Sequence, residues 1–471
     1  MPSSIKKKAS LSKNNISKSD IILIFICMIF VGLNSSIGRP IWIDEFLHFA
    51  LGGFSSSSKA WDVIRESIKG INHGQTGVYM LLNYWLLKIF GANLFWLRFP
   101  SIFSGFIAFL GSIYLFRIWK MNFWWQLIGI FALSSQTTLL YYAGEARPYM
   151  PLVAATICIL LYYSIPTAER NGIAISLIGW FSVLVGVLFH PYFPVYWLLI
   201  CLFTYANKLV GDENLSVSGF IRHFNLPLSI VGSITFFSLA NATWLQGRPD
   251  FKGGNFDPFQ WVSRENLVDN FVKVSHFQFL NPYGYWFLYL VFGLLIISVL
   301  TRNILPLKWR LFSESLIAPA SLMFISIGIS ILLGFVSYRQ SYWILPRQWV
   351  ASIALCSIAS VWFANRLFKV LHHIHIVIAL LWLMVFSSPI LINTYKIGKT
   401  QFREIETHLA NQSKLPVPEI NPKDIDVSSL TECSNDITAC NDAWVELANK
   451  NIRQGGEVWE VFSNFYGKNS Q

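Results

Sequence analysis

Two short stretches of this chain carry side chains suited to acid–base and phosphate chemistry. The first, Arg39-Pro40-Ile41-Trp42-Ile43-Asp44-Glu45, sets two adjacent carboxylates just after the first long apolar run. A carboxylate at a membrane edge is poorly solvated, which disfavours its charged form and tunes it as a base. The same pair also suits the start of a following helix, where acidic side chains accept from exposed N–H groups. Spacing leaves both roles open. The second stretch, Tyr141-Tyr142-Ala143-Gly144-Glu145-Ala146-Arg147-Pro148-Tyr149, sets an acid and a guanidinium two positions apart. Arg147 has the planar fork that holds a phosphate through two N–H groups. It equally suits a local ion pair with Glu145 at headgroup depth. His73 and His190 add imidazoles beside apolar runs, where a lone histidine is more often structural than catalytic.

Only a membrane chain would position such residues with this composition. Of 471 residues 54% are hydrophobic and 13% charged, and the mean hydropathy is positive, which a soluble fold of this length would not sustain. Runs of the length a span requires lie at 21–38, 99–116, 123–142, 149–165, 173–189, 192–206, 226–245, 285–300, 316–336, 349–364 and 374–392, about eleven in all. The expected fold class is therefore an all-α polytopic membrane protein. The basic excess, 36 Lys+Arg against 25 Asp+Glu, is broken into short clusters between apolar runs, which argues for loops on one membrane side and against a nucleic-acid partner. Lys6, Lys7, Lys8, Lys13 and Lys18 precede the run from Ile21, which reads as a retained signal anchor. Cys27, Cys158, Cys201 and Cys356 sit in apolar runs as small hydrophobes. Cys433 and Cys440 are close enough to close a small disulfide loop in an oxidising compartment, or are neighbours by chance.

The stretch 78–90 sets the topology, because counting it as a span would invert everything after it. If it does not cross, Arg117, Lys120, Arg170, Lys208, Arg222, Arg302, Lys308, Arg310, Arg366 and Lys369 all share the side of the lysine-rich amino terminus. Short, and rich in Tyr and Trp, it is expected to lie along the outer surface as an interfacial helix. Residues 1–20 then form a cytoplasmic basic amino terminus and 21–395 a transmembrane domain whose first extracytoplasmic loop is 39–98. Residues 396–471 form a small extracytoplasmic carboxyl-terminal region. The turn at Glu145 to Pro148, His190-Pro191, 246–282 and 338–345 also fall outside. No metal-ligand spacing appears, so no metal site is expected, although carboxylates by themselves leave a divalent ion open.

Taken together, the Asp44-Glu45 pair, His73-Gly74-Gln75-Thr76-Gly77-Val78-Tyr79-Met80-Leu81-Leu82, Phe90-Gly91, Leu97-Arg98-Phe99-Pro100-Ser101 and the Glu-Ala-Arg-Pro-Tyr segment from Glu145 resemble a known superfamily. They look like the protein O-mannosyltransferase and aminoarabinose lipid A transferase families (glycosyltransferase family 39-like) of the C-type glycosyltransferases. The likeness covers roughly the first third of the chain. It implies a GT-C-like fold in a bacterial inner membrane, with the active site on the outer face. It also implies inverting transfer of a sugar from a polyprenyl-phosphate donor to an extracytoplasmic lipid, glycan or protein acceptor, with no cofactor. On that resemblance Asp44 is the general base, Glu45 and Glu145 share the catalytic site, and Arg147, Arg98 and Arg339 or Arg347 meet the phosphate. His73, Tyr149 and His190 complete the substrate-binding set. Two departures stand out. Gly74 and Gln75 replace the usual prolines, and the late Arg-Tyr-like segment is only approximated by Tyr338-Arg339 or Pro346-Arg347. A transporter or flippase for a lipid-linked or small substrate is the rival class, and a catalytically inactive scaffold a second; a transporter would carry charge near the midplane and paired repeats.

Overall fold

The computed structural model describes residues 18–36, 45, 48, 56–69, 76–90, 94–134, 136, 139, 142–209, 217–239, 307–340 and 349–368. Among these every regular element is helical. In chain order they are α1 (Lys18–Ser36), α2 (Ser57–Lys69), α3 (Val78–Phe90), α4 (Leu94–Ile118), α5 (Phe123–Ser134), α6 (Tyr149–Ser164), α7 (Ile173–Phe189), α8 (Phe193–Leu209), α9 (Val217–Phe224), α10 (Leu226–Leu239), α11 (Leu307–Gln340) and α12 (Val350–Phe368). Three stretches are long and apolar enough to cross a membrane: Phe95–Ile118, Ser315–Leu332 and Val350–Leu367. The remaining apolar helices are shorter, and 78–90 and 173–189 start and stop where the hydropathy pattern predicts. Helix α5 ends at Ser134, short of the expected 142, and α11 begins nine residues before 316. The expected spans at 285–300 and 374–392, and the tail from 396, lie outside the described residues.

Helix α6 is the axis. It packs on α4, α7, α8 and α12, and every residue from Tyr149 to Tyr163 is buried. A helix apolar on all sides must be enclosed on all sides. Its ends are written locally. Pro151 falls in the first turn, where a missing N–H costs nothing. At the other end Ile165, forced extended by Pro166, stops it. Helices α1, α7 and α10 form the periphery and expose Ile21, Phe25, Ile173, Leu177, Ile234 and Phe237. Ser101 and Gly111 of α4 approach Arg147 and Ile157 respectively, so α4 and α6 run parallel from a shared end.

At the far end a buried guanidinium ties loops together. Arg170 donates from Nε to the Ile165 carbonyl (3.0 Å), from Nη1 to the His223 carbonyl (2.7 Å), and from Nη2 to the Tyr163 carbonyl (2.8 Å) and His223 Nδ1 (3.1 Å). Its plane lies 5.0 Å from the Tyr162 and Tyr163 rings. Because Nδ1 accepts, His223 carries its proton on Nε2, which faces Thr204 Oγ1 at 3.0 Å.

Helix α4 stops with the Lys120 N–H on the Arg117 carbonyl (2.8 Å) and the Met121 N–H on the Phe116 carbonyl (3.0 Å), the paired bonds of a Schellman cap. That cap needs a left-handed residue, and Lys120 supplies it at φ 58°. Lys120→Gly removes the Cβ penalty and should stabilise the protein by about 1 kcal/mol. Thermal unfolding in detergent reads the change, and a lower midpoint contradicts the assignment.

Candidate functional site

The two chemical stretches meet at the shared end of α4 and α6. Glu45 is 1% exposed, and its carboxylate accepts from Arg98 Nε (2.9 Å, to Oε1) and Arg98 Nη2 (2.7 Å, to Oε2). Oε1 also accepts from the Ala146 backbone N–H at 2.7 Å, across 101 residues of sequence. In the Glu145–Pro148 turn the neighbouring donors are engaged otherwise, with the Glu145 N–H on the Tyr142 carbonyl (3.4 Å) and the Arg147 N–H on the Glu145 carbonyl (2.8 Å). That leaves the Ala146 N–H directed at Glu45, so backbone accounting in the turn closes through a side chain from the first loop. Burial makes this pair costly to break, since either charge alone would be desolvated without compensation.

A second line of contacts runs from α3. The Ser101 hydroxyl donates to the Arg147 carbonyl (3.0 Å). With its one hydrogen so used, Ser101 Oγ must accept from the Tyr79 hydroxyl at 2.7 Å. Burial drives the Tyr79 pKa upward, which keeps it a donor, and Glu45, Glu145 and Arg147 all act on it electrostatically. Four residues further along α3, Asn83 Nδ2 donates to His48 Nδ1 at 2.9 Å, both side chains fully buried. His48 packs edge-on against Tyr79 (centroids 5.7 Å), which packs likewise on Phe189 (5.6 Å). Thr76 Oγ1 donates to the Leu188 carbonyl, tying the entry of α3 to the end of α7.

Glu145 and Arg147 are each 4% exposed. The Arg147 guanidinium lies 5.9 Å from the Tyr149 ring centroid, and Tyr149 faces Tyr142 (4.8 Å) and His190 (5.9 Å). His190 ends α7 and accepts the Tyr192 N–H on Nδ1 at 3.2 Å. Desolvation first, and the Arg147 charge second, push its pKa down from 6.5 to about 3. It is neutral at ordinary pH and no proton carrier there. The unfolded chain binds that proton from about pH 6.5 downward, so stability should fall steadily as pH drops from 6.5 towards 3 and then level off. His190→Gln should flatten that slope in an acid titration of the unfolding midpoint; an unchanged slope removes His190 as the cause.

Of the residues singled out from sequence, Glu45, Arg98, Glu145, Arg147, Tyr149 and His190 thus gather at one end of the bundle. Asp44, His73 and Arg347 lie outside the described residues, as does the side chain of Arg339, which sits near the end of α11. Arg98, expected on a phosphate, gives Nε and Nη2 to Glu45. Tyr79 and Ser101 lie within the motifs quoted from sequence but were given no role there, and Asn83 and His48 were not singled out. The available cue was Tyr79 and Asn83 at i,i+4 spacing on an apolar helix, which puts both on one face. Among the described residues no three His, Cys, Asp or Glu side chains gather to hold a metal ion.

No family model and no curated protein matches the chain. Among solved structures the chain is similar to ArnT from Cupriavidus metallidurans bound to undecaprenyl phosphate, with 13% identity, a TM-score of 0.42, and coverage of 95% of this chain and 74% of that one. It is also similar to the same protein in the apo state, with 12% identity, a TM-score of 0.43 and the same coverage.

Proposed function

We propose that the chain is a membrane glycosyltransferase that moves a sugar from a polyprenyl-phosphate donor to an acceptor on the extracytoplasmic face, with inversion. Asp44 takes the proton of the acceptor hydroxyl, whose oxygen attacks the anomeric carbon. The bond from that carbon to the phosphate oxygen breaks, and polyprenyl phosphate leaves with the electron pair. Arg147 meets the negative charge that grows on the phosphate, where a preorganised cation acts most strongly. Glu45 is a positioning residue in this scheme. Two donors from Arg98 and one from Ala146 already engage its carboxylate, so its part is to hold residue 45 against the Glu145–Pro148 turn.

The observation that carries this reading is the Glu45 carboxylate bridging two motifs 101 residues apart. It sets Glu45, the chain neighbour of Asp44, against the turn holding Glu145 and Arg147, which supports acid and guanidinium groups serving one site. The basic residues Arg117, Lys120, Arg170 and Arg222 lie at or near the end of the bundle away from this cluster, in keeping with an outward-facing site.

Donor use tests the reading. The purified chain in nanodiscs, given a polyprenyl-phosphate-linked sugar, should release polyprenyl phosphate. Arg147→Ala should weaken donor use by roughly ten- to a hundred-fold, the worth of a lost charge-assisted contact. Equal donor dependence in wild type and variant would remove Arg147 from the phosphate. Absence of any polyprenyl-phosphate binding by wild type would leave the transporter class in its place.

A further inference from the structure

The backbone beside Arg147 needs a donor that its own helix cannot give. Helix α6 engages the Pro148 carbonyl with the Leu152 N–H (3.1 Å) and can reach no further back, because Pro151 has no N–H to offer the Arg147 carbonyl. The donor comes from α4: Ser101 gives its one hydrogen to that carbonyl at 3.0 Å. The Tyr79 hydroxyl of α3, 2.7 Å from Ser101 Oγ, then donates to Ser101. Arg147 is thus held by α4 and, behind it, by α3.

Asn83 lies four residues on, on the same face of α3, and its amide meets the His48 ring at 2.9 Å. Glu45, held by Arg98 and the Ala146 N–H, comes three residues before His48, so the chain just after Asp44 is tied at two points. Helix α3 is itself anchored, since Thr76 at its entry donates to the Leu188 carbonyl at the end of α7. Tyr79, Asn83, Ser101 and His48 are each no more than 1% exposed. Substrate does not reach them, and whatever they do for a reaction they do through the stretches they hold.

We propose, on the transferase reading above, that Tyr79 and Asn83 are positioning residues for the transfer. Tyr79, through Ser101, sets the turn that carries Arg147 on the donor phosphate, and Asn83, through His48, sets the chain beside Asp44. Both side chains rise from one helix, about 6 Å apart along its axis, so α3 imposes a fixed separation between the base and the phosphate cation. Transfer between two bound groups depends steeply on such a separation.

The test measures polyprenyl phosphate binding, and sugar turnover at saturating donor, for the full chain in nanodiscs, with the unfolding midpoint beside them. Tyr79→Phe removes a hydroxyl and keeps the ring against His48 and Phe189. It should weaken polyprenyl phosphate binding roughly three- to tenfold, the worth of one hydrogen bond. Asn83→Leu removes the bond to His48 at similar volume; it should lower turnover roughly ten- to a hundredfold and leave polyprenyl phosphate binding as in wild type. Opposite signatures from two residues one turn apart do not arise from general loosening of α3. The same pattern of loss in both variants overturns the proposal, and wild-type values in either variant remove that residue from the role. Should Tyr79→Phe also lower the midpoint, its effect is read again in an Arg147→Ala background. A residue acting through Arg147 has nothing further to lose there, and a second fall in binding overturns its role. Wild type that binds no polyprenyl phosphate sinks the transferase reading itself, whereas wild type and Tyr79→Phe binding it equally overturn the positioning role alone.

Discussion

Asp44→Asn should lower sugar transfer by roughly a hundred- to ten-thousand-fold, the usual contribution of a general base, with membrane insertion and abundance unchanged. The substitution keeps the volume of the side chain and removes only its capacity to take a proton. Glu45, held by Arg98 and the Ala146 N–H, is unavailable to substitute for it. Transfer measured from a polyprenyl-phosphate-linked sugar, alongside binding of the unsugared carrier, separates chemistry from recognition. Carrier binding should persist in the variant. Transfer at the wild-type rate would assign the base to another group and leave the Asp44-Glu45 pair a helix-capping role.

Glu45→Ala should act on the fold before it acts on the reaction. It leaves the Arg98 guanidinium buried without its carboxylate and the Ala146 N–H without its acceptor. Removing one partner of a buried ion pair costs about 3–5 kcal/mol. Abundance and the detergent unfolding midpoint should both fall. The double variant Glu45→Leu with Arg98→Met removes both charges and keeps apolar volume, so it should recover much of the midpoint. A double variant whose loss relative to wild type equals the sum of the Glu45→Leu and Arg98→Met single losses would mean the two side chains act independently, contrary to a shared pair.

Much of the helical framework was legible, because hydrophobic length and turn residues act locally. Gly77 before Val78, the His190-Pro191 break after Phe189 and Pro166 after α6 each set an end that the hydropathy pattern also marks. The early end of α5 was not, since 135–142 keeps enough apolar character to pass for more of the same span. At the site, the acid–guanidinium chemistry of Glu45, Glu145 and Arg147 could be read from residue type, while the pairing could not. Sequence offered Glu145 as the nearest partner for Arg147 and a phosphate for Arg98. The chain joins Arg98 to Glu45, 53 positions away, a pairing that neither stretch announces. Partner choice depends on which helix ends meet, and no local pattern encodes that α4 and α6 run side by side from one end. Tyr79 and Asn83 were hidden for a related reason, because a polar residue on an apolar helix acquires its meaning only once the opposing wall is known.

The enclosure of α6 bears on how this protein meets bilayers of differing thickness. Sixteen residues rise about 24 Å, less than the roughly 30 Å of a typical hydrocarbon slab. A lipid-facing helix so short would thin its surroundings or recruit flanking side chains. Walled by α4, α7, α8 and α12, α6 has no such obligation. Hydrophobic mismatch therefore falls on the outer helices α1, α7 and α10, themselves short of the slab, so that local thinning of the bilayer is expected beside them and not beside α6.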